Sequence, residues 1–239
     1  MTVPGPIDPR IPHVRVQRTR QGTFLLVDDS CASLWRPGQE TTGGTWDLLA
    51  APVLLLPAAP APRVLLLGVG GGSVVRVLRA LRPDAAIVGV DLDAQVLEVA
   101  RREFALDALG ATIVCGEARR FVAALTPAQR FDLIIDDIYA GSGDGMRKPD
   151  GWLTTLRRAA TRLARGGVLV CNALDRRDAR AMAVALPQPW VALAHADYHN
   201  RILVGGRARA LTARAVGRTL RAAPLLAATM QRTRVRAAI

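Results

Sequence analysis

From residue 64 onward, apolar runs of three to five residues alternate with longer segments in which apolar residues recur at helical spacing. This alternation is typical of a parallel sheet with helical crossovers. The predicted strands are residues 64–67, 86–90, 111–114, 133–135 and 168–171. The predicted helices between them are residues 73–81, 94–104, 118–125 and 151–164, and an earlier helix is predicted at 46–56.

At both ends of this alternating region, the sequence predicts strands that pair antiparallel. Residues 14–27 alternate apolar and polar positions on either side of a turn at Arg20-Gln21-Gly22, which predicts an N-terminal β-hairpin. The apolar runs 191–196 and 201–204 are only four residues apart, too few for a crossover helix, so they should pair antiparallel. Five parallel strands closed by an antiparallel pair predict the Rossmann-like class I methyltransferase fold, whereas a dehydrogenase sheet stays parallel.

The domain organisation predicted from these patterns has three parts. Residues 1–45 form the hairpin region, 46–206 the nucleotide-binding transferase domain, and 207–239 a helical tail with eight arginines and no acidic residue.

The charge of +12 changes this picture little. Of the 32 basic residues all but Lys148 are arginine, and they are spread over a chain with only ten aromatic residues, so nucleic-acid binding is not expected. Three isolated cysteines, and a start without a signal-peptide pattern, are typical of a reduced cytoplasmic protein. Neither a membrane segment nor a metal site is predicted; His195 and His199 fall in a predicted strand and turn.

Three polar or glycine-rich segments follow three successive predicted strands. The loop of Gly68, Gly70, Gly71 and Gly72 would let the backbone approach a ligand closely, although a plain tight turn is the alternative. Asp91 ends the next strand, where a carboxylate accepts hydrogen bonds from both ribose hydroxyls.

The third segment is Glu117-Ala118, which follows the third strand. The Glu117 carboxylate could accept from an adenine amino group while the Ala118 amide faces the ring, and the alternative is an ordinary acid at a helix N-terminus. Together the three segments predict an adenosine site at the carboxyl edge of the sheet.

These motifs resemble the spermidine synthase family of aminopropyltransferases, which has the class I methyltransferase fold. The resemblance spans roughly residues 14–205 and is carried by VQRTRQGTFLLVDD, LLGVGGGSVVRVL, VDLDAQVLEVARREF, GEARRF and FDLIIDDIYAG. It implies a transferase that binds S-adenosylmethionine or its decarboxylated form, with Asp136 near the nucleotide. Asp137 falls on the family's catalytic Asp, which takes the proton from an attacking amine; a loop-capping role is the alternative.

The sequence departs from the family where a polyamine and the transferred chain would bind. In the glycine-rich loop, Gly71 stands where the family has an Asp, and after the fourth strand Ala140 stands where the family has a second Asp. Thr45-Trp46-Asp47 aligns with a Tyr-His-Glu segment of the family, and Ala32 aligns with a Gln. A diamine has two positive charges that need carboxylates when they are desolvated. The sequence therefore predicts methyl transfer to an unknown acceptor. The first alternative is aminopropyl transfer in polyamine biosynthesis, and the second alternative is a nucleotide-binding protein without catalytic activity.

The acceptor is expected to be a small molecule, an amine among the candidates. Tyr139 and Trp46 are predicted to stack on a base or line the acceptor pocket, with core packing as the alternative for Trp46. Residues 140–149, which include Lys148, are predicted to form a lid, with a plain surface loop as the alternative. The sequence allows three roles for the arginine-rich tail: it packs on the domain, it forms a homodimer contact, or it binds an acidic partner.

Overall fold

The computed structural model describes residues 13–58, 60–141, 146–185, 190–206 and 211–237. An antiparallel sheet of three strands opens it: β1 (Val14–Thr19), β2 (Gly22–Val27) and β3 (Ser30–Trp35). The first two strands confirm the predicted hairpin. The third was not predicted, because its sequence SCASLW mixes small and polar residues; it follows a turn in which Asp28 and Asp29 both have positive φ.

Helices and strands then alternate through most of the chain. The strands are β4 (Arg63–Leu67), β5 (Ala86–Asp91), β6 (Thr112–Cys115), β7 (Phe131–Asp136), β8 (Leu163–Ala173), β9 (Val191–His195), β10 (Arg201–Gly206) and β11 (Thr233–Ala237). The helices are α1 (Thr45–Ala50), α2 (Ser73–Leu81), α3 (Ala94–Phe104), α4 (Ala118–Ala124), α5 (Trp152–Ala160), α6 (Arg176–Ala185), α7 (Ala213–Arg221) and α8 (Ala227–Gln231).

The eight strands form one sheet in the order β11-β9-β10-β8-β7-β4-β5-β6. The pairs from β6 to β8 are parallel, and β10 is antiparallel to both β8 and β9. The strand β9 therefore runs in the same direction as β8. This is the class I methyltransferase arrangement that was predicted. Its carboxyl edge brings together the ends of β4 to β9 and the starts of β10 and β11.

Both faces of the sheet are covered. Along β4, Val64 and Leu66 belong to the apolar core under α1, α2 and α7, whereas Leu65 and Leu67 belong to the core under α4, α5 and α6. Burial on both faces is the reason the central strands are nearly continuous apolar runs.

Some element bounds differ from the prediction for local reasons. The predicted helix 46–56 is divided into α1 and a 3₁₀ segment, Ala51–Leu55, because Pro52 has no N–H to continue an α-helix. The predicted helix 151–164 ends at Ala160, and Leu163 already belongs to β8. The tail is helical as predicted at α7 and α8, but its residues 233–237 form β11 against β9. In the described ranges, every helix is too short or too polar to cross a bilayer.

Candidate functional site

The glycine-rich loop and Asp91 contact each other at the carboxyl edge of the sheet. The φ angles of Gly68, Gly70 and Gly72 are 88°, 54° and 86°, in the left-handed region that favours glycine. One carboxylate oxygen of Asp91 accepts hydrogen bonds from the N–H groups of Val69 and Gly70 at 2.8 and 2.9 Å. Asp91 thus fixes the shape of the loop, and its half-buried oxygens keep lone pairs for further donors.

The strand β3 lies directly over this loop. The Ser33 hydroxyl oxygen accepts from the Gly71 N–H at 2.7 Å, and the Ser73 hydroxyl exchanges hydrogen bonds with the backbone of Leu34 at 2.9 and 3.0 Å. A Cβ atom at Gly71 would stand 2.8 Å from the Cβ of Ser33. The position that an Asp occupies in the spermidine synthase family therefore has no room for one here.

The region predicted to face the adenine lies beside Asp91. Leu92 is 70% exposed, unusual for a leucine, and the backbone N–H of Gly116 donates to the Asp91 carbonyl at 2.8 Å. Nothing would obstruct a Cβ at Gly116, so the space above this backbone is open. The carboxylate of Glu117 pairs with Arg119 and Arg120 at 3.0 and 3.2 Å, and Ala118 begins α4. Leu92 was not predicted, because an apolar residue after Asp91 carries no polar signal.

Asp137 lies just beyond β7 in a network of amides. Its carboxylate accepts from the Asn172 Nδ2 at 2.7 Å, and the Asn172 Oδ1 accepts from Asn200 at 3.0 Å. Loss of water around this carboxyl raises its pKa to about 7, an effect that the Asn172 hydrogen bond and the Lys148 charge oppose and the neighbouring carboxylates of Asp136 and Asp91 reinforce. The carboxyl can therefore both take up and release a proton near neutral pH.

The neighbouring carboxylate, Asp136, already has a buried cation. The Lys148 ammonium donates to Asp136 Oδ2 and to the Ile138 carbonyl, each at 3.0 Å, and only 7% of Lys148 is exposed. The ammonium also lies 4.4 Å from the ring centre of Tyr139 and 5.4 Å from that of Trp152. These groups form an ammonium site that the chain fills with its own lysine.

The sequence did not reveal this role of Lys148, which falls in the predicted lid. Residues 142–145 of that segment lie outside the described residues. At its two ends, Ala140 and Arg147 exchange backbone hydrogen bonds of 2.8 Å. This pairing places Lys148 one residue further on, against Asp136.

The two aromatic candidates have different surroundings. The Tyr139 hydroxyl donates to the Asn172 carbonyl at 2.9 Å, and burial followed by the charges of Asp137 and Asp136 raises its pKa well above the usual value. The hydroxyl thus stays neutral within the Asp137 network. Trp46 is half-buried and packs against the apolar core under α1.

Comparison with known proteins agrees with this architecture. A family model described as a methyltransferase domain matches residues 64–167. No curated protein sequence matches the chain. A probable spermidine synthase from Corynebacterium glutamicum superposes with a TM-score of 0.74 at 20% identity, covering 99% of this chain and 91% of that one.

Two further solved structures have the same fold. The spermidine synthase from Thermotoga maritima has a TM-score of 0.65 at 17% identity and covers 81% of this chain and 69% of its own. Human methyltransferase-like protein 13, in complex with SAH, has a TM-score of 0.64 at 20% identity, and the match covers 79% of this chain and 93% of that one. At identities this low, the structural similarity establishes a common fold and no more.

Proposed function

We propose that this chain, which has the class I methyltransferase fold and superposes on spermidine synthases, transfers a methyl group from S-adenosylmethionine to a small-molecule acceptor. Asp137 is the base or anchor for that acceptor.

The groups at the carboxyl edge fit the nucleotide. Asp91 offers carboxylate oxygens to ribose hydroxyls, Leu92 offers an exposed apolar side chain to a base, and Gly116 leaves open space beside both. Asp137 supplies a carboxylate near the glycine-rich loop, because a Cβ at Gly68 would lie 2.5 Å from the Asp137 carbonyl oxygen. The sulfonium of S-adenosylmethionine provides an electrophilic methyl group and a positive charge that such a carboxylate favours.

The observation that carries the proposal is the hydrogen-bonded pair of Lys148 and Asp136. An aminopropyltransferase must bind a cationic amine, and desolvated ammonium groups need unpaired carboxylates. Here the carboxylate beside Asp137 is neutralised by Lys148 at 3.0 Å, and the aromatic rings of Tyr139 and Trp152 already face that ammonium. A dication would meet a like charge at this point, which favours methyl transfer to another acceptor.

The surroundings of Asp137 suit a general base. A base is most effective when its pKa lies near the working pH, and burial raises the pKa of this carboxyl to about 7. The hydrogen bond from Asn172 orients the carboxylate while leaving its second oxygen for the acceptor.

Calorimetric titration with S-adenosylmethionine and with its decarboxylated form tests this function. We expect at least tenfold tighter binding of S-adenosylmethionine, and a loss of at least tenfold in Asp91→Ala, which removes both the ribose acceptor and the loop anchor. Asp107→Ala, at an exposed acid in a 3₁₀ turn, is the matched control and should bind normally. Preference for the decarboxylated nucleotide, with putrescine-dependent release of methylthioadenosine, would establish the aminopropyltransferase instead. If neither nucleotide binds, the proposal that this protein is a transferase is wrong.

A further inference from the structure

We propose that the acceptor carries a carboxylate or phosphate group, which binds in a basic pocket on the same edge of the sheet as Asp137. This inference rests on the proposed function, because it names the chemical class of the acceptor. The basic pocket is lined by His195, His199, Asn200, Arg201, Arg232 and Arg234, among others.

The topology places the basic pocket beside the predicted catalytic residues. His195 ends β9, which runs parallel to β8, and Arg201 begins the antiparallel strand β10, so both stand at the carboxyl edge. Arg201 pairs in register with Ala173, the last residue of β8. The pocket volume of about 380 Å³ lies within the range of small-molecule sites, roughly 300–1,000 Å³.

A chain of two hydrogen bonds joins the pocket wall to Asp137. Asn200 lines the pocket and donates to Asn172 at 3.0 Å, and Asn172 donates to Asp137 at 2.7 Å. Asn200 therefore contacts both the basic pocket and the amide that orients Asp137. A molecule bound in the pocket can couple to Asp137 through this pair of amides.

The charges of the pocket select an anion. The Arg232 guanidinium forms an ion pair with Asp197, whereas the guanidinium groups of Arg201 and Arg234 have no hydrogen bond or ion pair with any described residue. Two unpaired guanidinium groups in one cavity favour carboxylate or phosphate, which they can bind with two parallel hydrogen bonds. The same groups repel a polyamine, in agreement with the position of Lys148.

The imidazole ring of His195 lies buried beneath this wall. Its Nδ1 accepts from the Asp197 N–H at 3.2 Å, which places the proton of the neutral ring on Nε2. Nε2 is buried and has no partner among the described residues. Burial, the largest influence, lowers the pKa of His195, so the ring stays neutral at pH 7 and adds no charge to the pocket.

Titration with two probe anions, inorganic phosphate and succinate, tests the inference in the full chain by calorimetry. We expect one or both to bind, and the stronger one identifies the preferred anionic group. Arg201→Gln and Arg234→Gln should each weaken that binding at least tenfold. The matched control is Arg236→Gln, two residues from Arg234 on β11 and outside the pocket, which should bind within twofold of the unmodified protein.

Two outcomes would overturn the proposal: no binding of either anion, or equal weakening in all three variants. Arg201→Lys, which keeps the charge, should retain much of the affinity and guards against a folding defect in Arg201→Gln. S-adenosylmethionine affinity, measured in parallel, should not change in the pocket variants. Because the anion titration requires no nucleotide, failure of the anionic site and failure of the proposed function give separate results.

Discussion

At the residue scale, two adjacent carboxylates have different surroundings. Asp136 is buried and paired with the Lys148 ammonium, whereas Asp137 is bound by the neutral amide of Asn172 and has its pKa raised to about 7 by burial. The sequence predicted a catalytic carboxylate at 137 but could not separate the two environments. The difference between the two carboxylates depends on the contact of Asp136 with Lys148, which lies twelve residues further along the chain. No pattern in the sequence predicts that contact.

Replacing Asp137 with Asn tests its role as base. We expect Asp137→Asn to lower turnover by roughly a hundredfold or more, because the amide cannot accept a proton, while S-adenosylmethionine affinity changes little. Release of S-adenosylhomocysteine measures turnover, and calorimetry measures affinity. Turnover within threefold of the unmodified protein would show that Asp137 has only a structural role.

The pH dependence of the reaction gives an independent test of the same residue. The carboxyl is neutral below its pKa and a base above it, so kcat/KM should rise with pH around 7 and then level off. Asp137→Asn should lack this rise. The same sign governs stability: Asp137 favours the folded state in its protonated form, and this contribution is lost as the pH rises from the unfolded pKa near 4 through about 7.

Replacing Lys148 with Met leaves the buried Asp136 without its cation. Loss of one partner of a buried ion pair costs about 3–5 kcal/mol, so Lys148→Met should have a clearly lower Tm. Putrescine at millimolar concentration should raise the Tm of this variant, because its ammonium can take the vacated place, and should leave the unmodified protein unchanged. Differential scanning fluorimetry measures both effects.

The double variant Lys148→Met/Asp136→Asn is the control for this experiment. It has neither the cation nor the carboxylate, so putrescine should not raise its Tm. A putrescine effect of equal size in the unmodified protein would contradict the filled ammonium site.

At the element scale, the unpredicted strand β3 shapes the predicted nucleotide loop. The sequence sufficed for β4 to β10 because strands buried on both faces and amphipathic helices have distinct periodicities. The strand β3 has no such periodicity: Ser33 within it is fully buried, and its hydroxyl oxygen accepts from the Gly71 N–H. Contacts of this kind join distant segments, and local pattern therefore cannot reveal them.

Ser33→Ala tests the contact between β3 and the loop. The change leaves the buried Gly71 N–H without its acceptor, which costs about 1–3 kcal/mol of unfolding free energy. It should also weaken S-adenosylmethionine binding several-fold, because the loop loses one of its supports. Chemical denaturation and calorimetry give the two values. Thr23→Ala, in the neighbouring strand β2, is the control, and equal effects of the two changes would mean that the Ser33 hydroxyl has no special role.

At the scale of the whole molecule, the C-terminal segment completes the main domain. The Thr229 hydroxyl on α8 donates to Asp47 at 2.6 Å, and Asp47 is fully buried while accepting from Thr42 and Gly43 as well. This hydrogen bond spans 182 positions of the sequence. It joins the tail to the helix that precedes the first parallel strand.

Thr229→Val tests this long-range contact. The substitution keeps the shape of the side chain but removes the donor to a buried carboxylate, and should lower the unfolding free energy by about 1.5–3 kcal/mol. Urea denaturation measures it, with Thr219→Val on α7 as a control that changes no described hydrogen bond. A loss confined to the control, or absent from both, would mean that the tail does not stabilise the domain through Asp47.

The identity of the transferred group is the central claim, and the nucleotide product reports it directly. The protein is incubated with equal amounts of S-adenosylmethionine and decarboxylated S-adenosylmethionine, together with putrescine and a small-molecule extract of the cells that express it. Mass spectrometry then quantifies the products. Methyl transfer predicts that S-adenosylhomocysteine accumulates, that the Asp137→Asn variant produces far less of it, and that methylthioadenosine stays at the level without protein. Accumulation of methylthioadenosine instead would contradict the account.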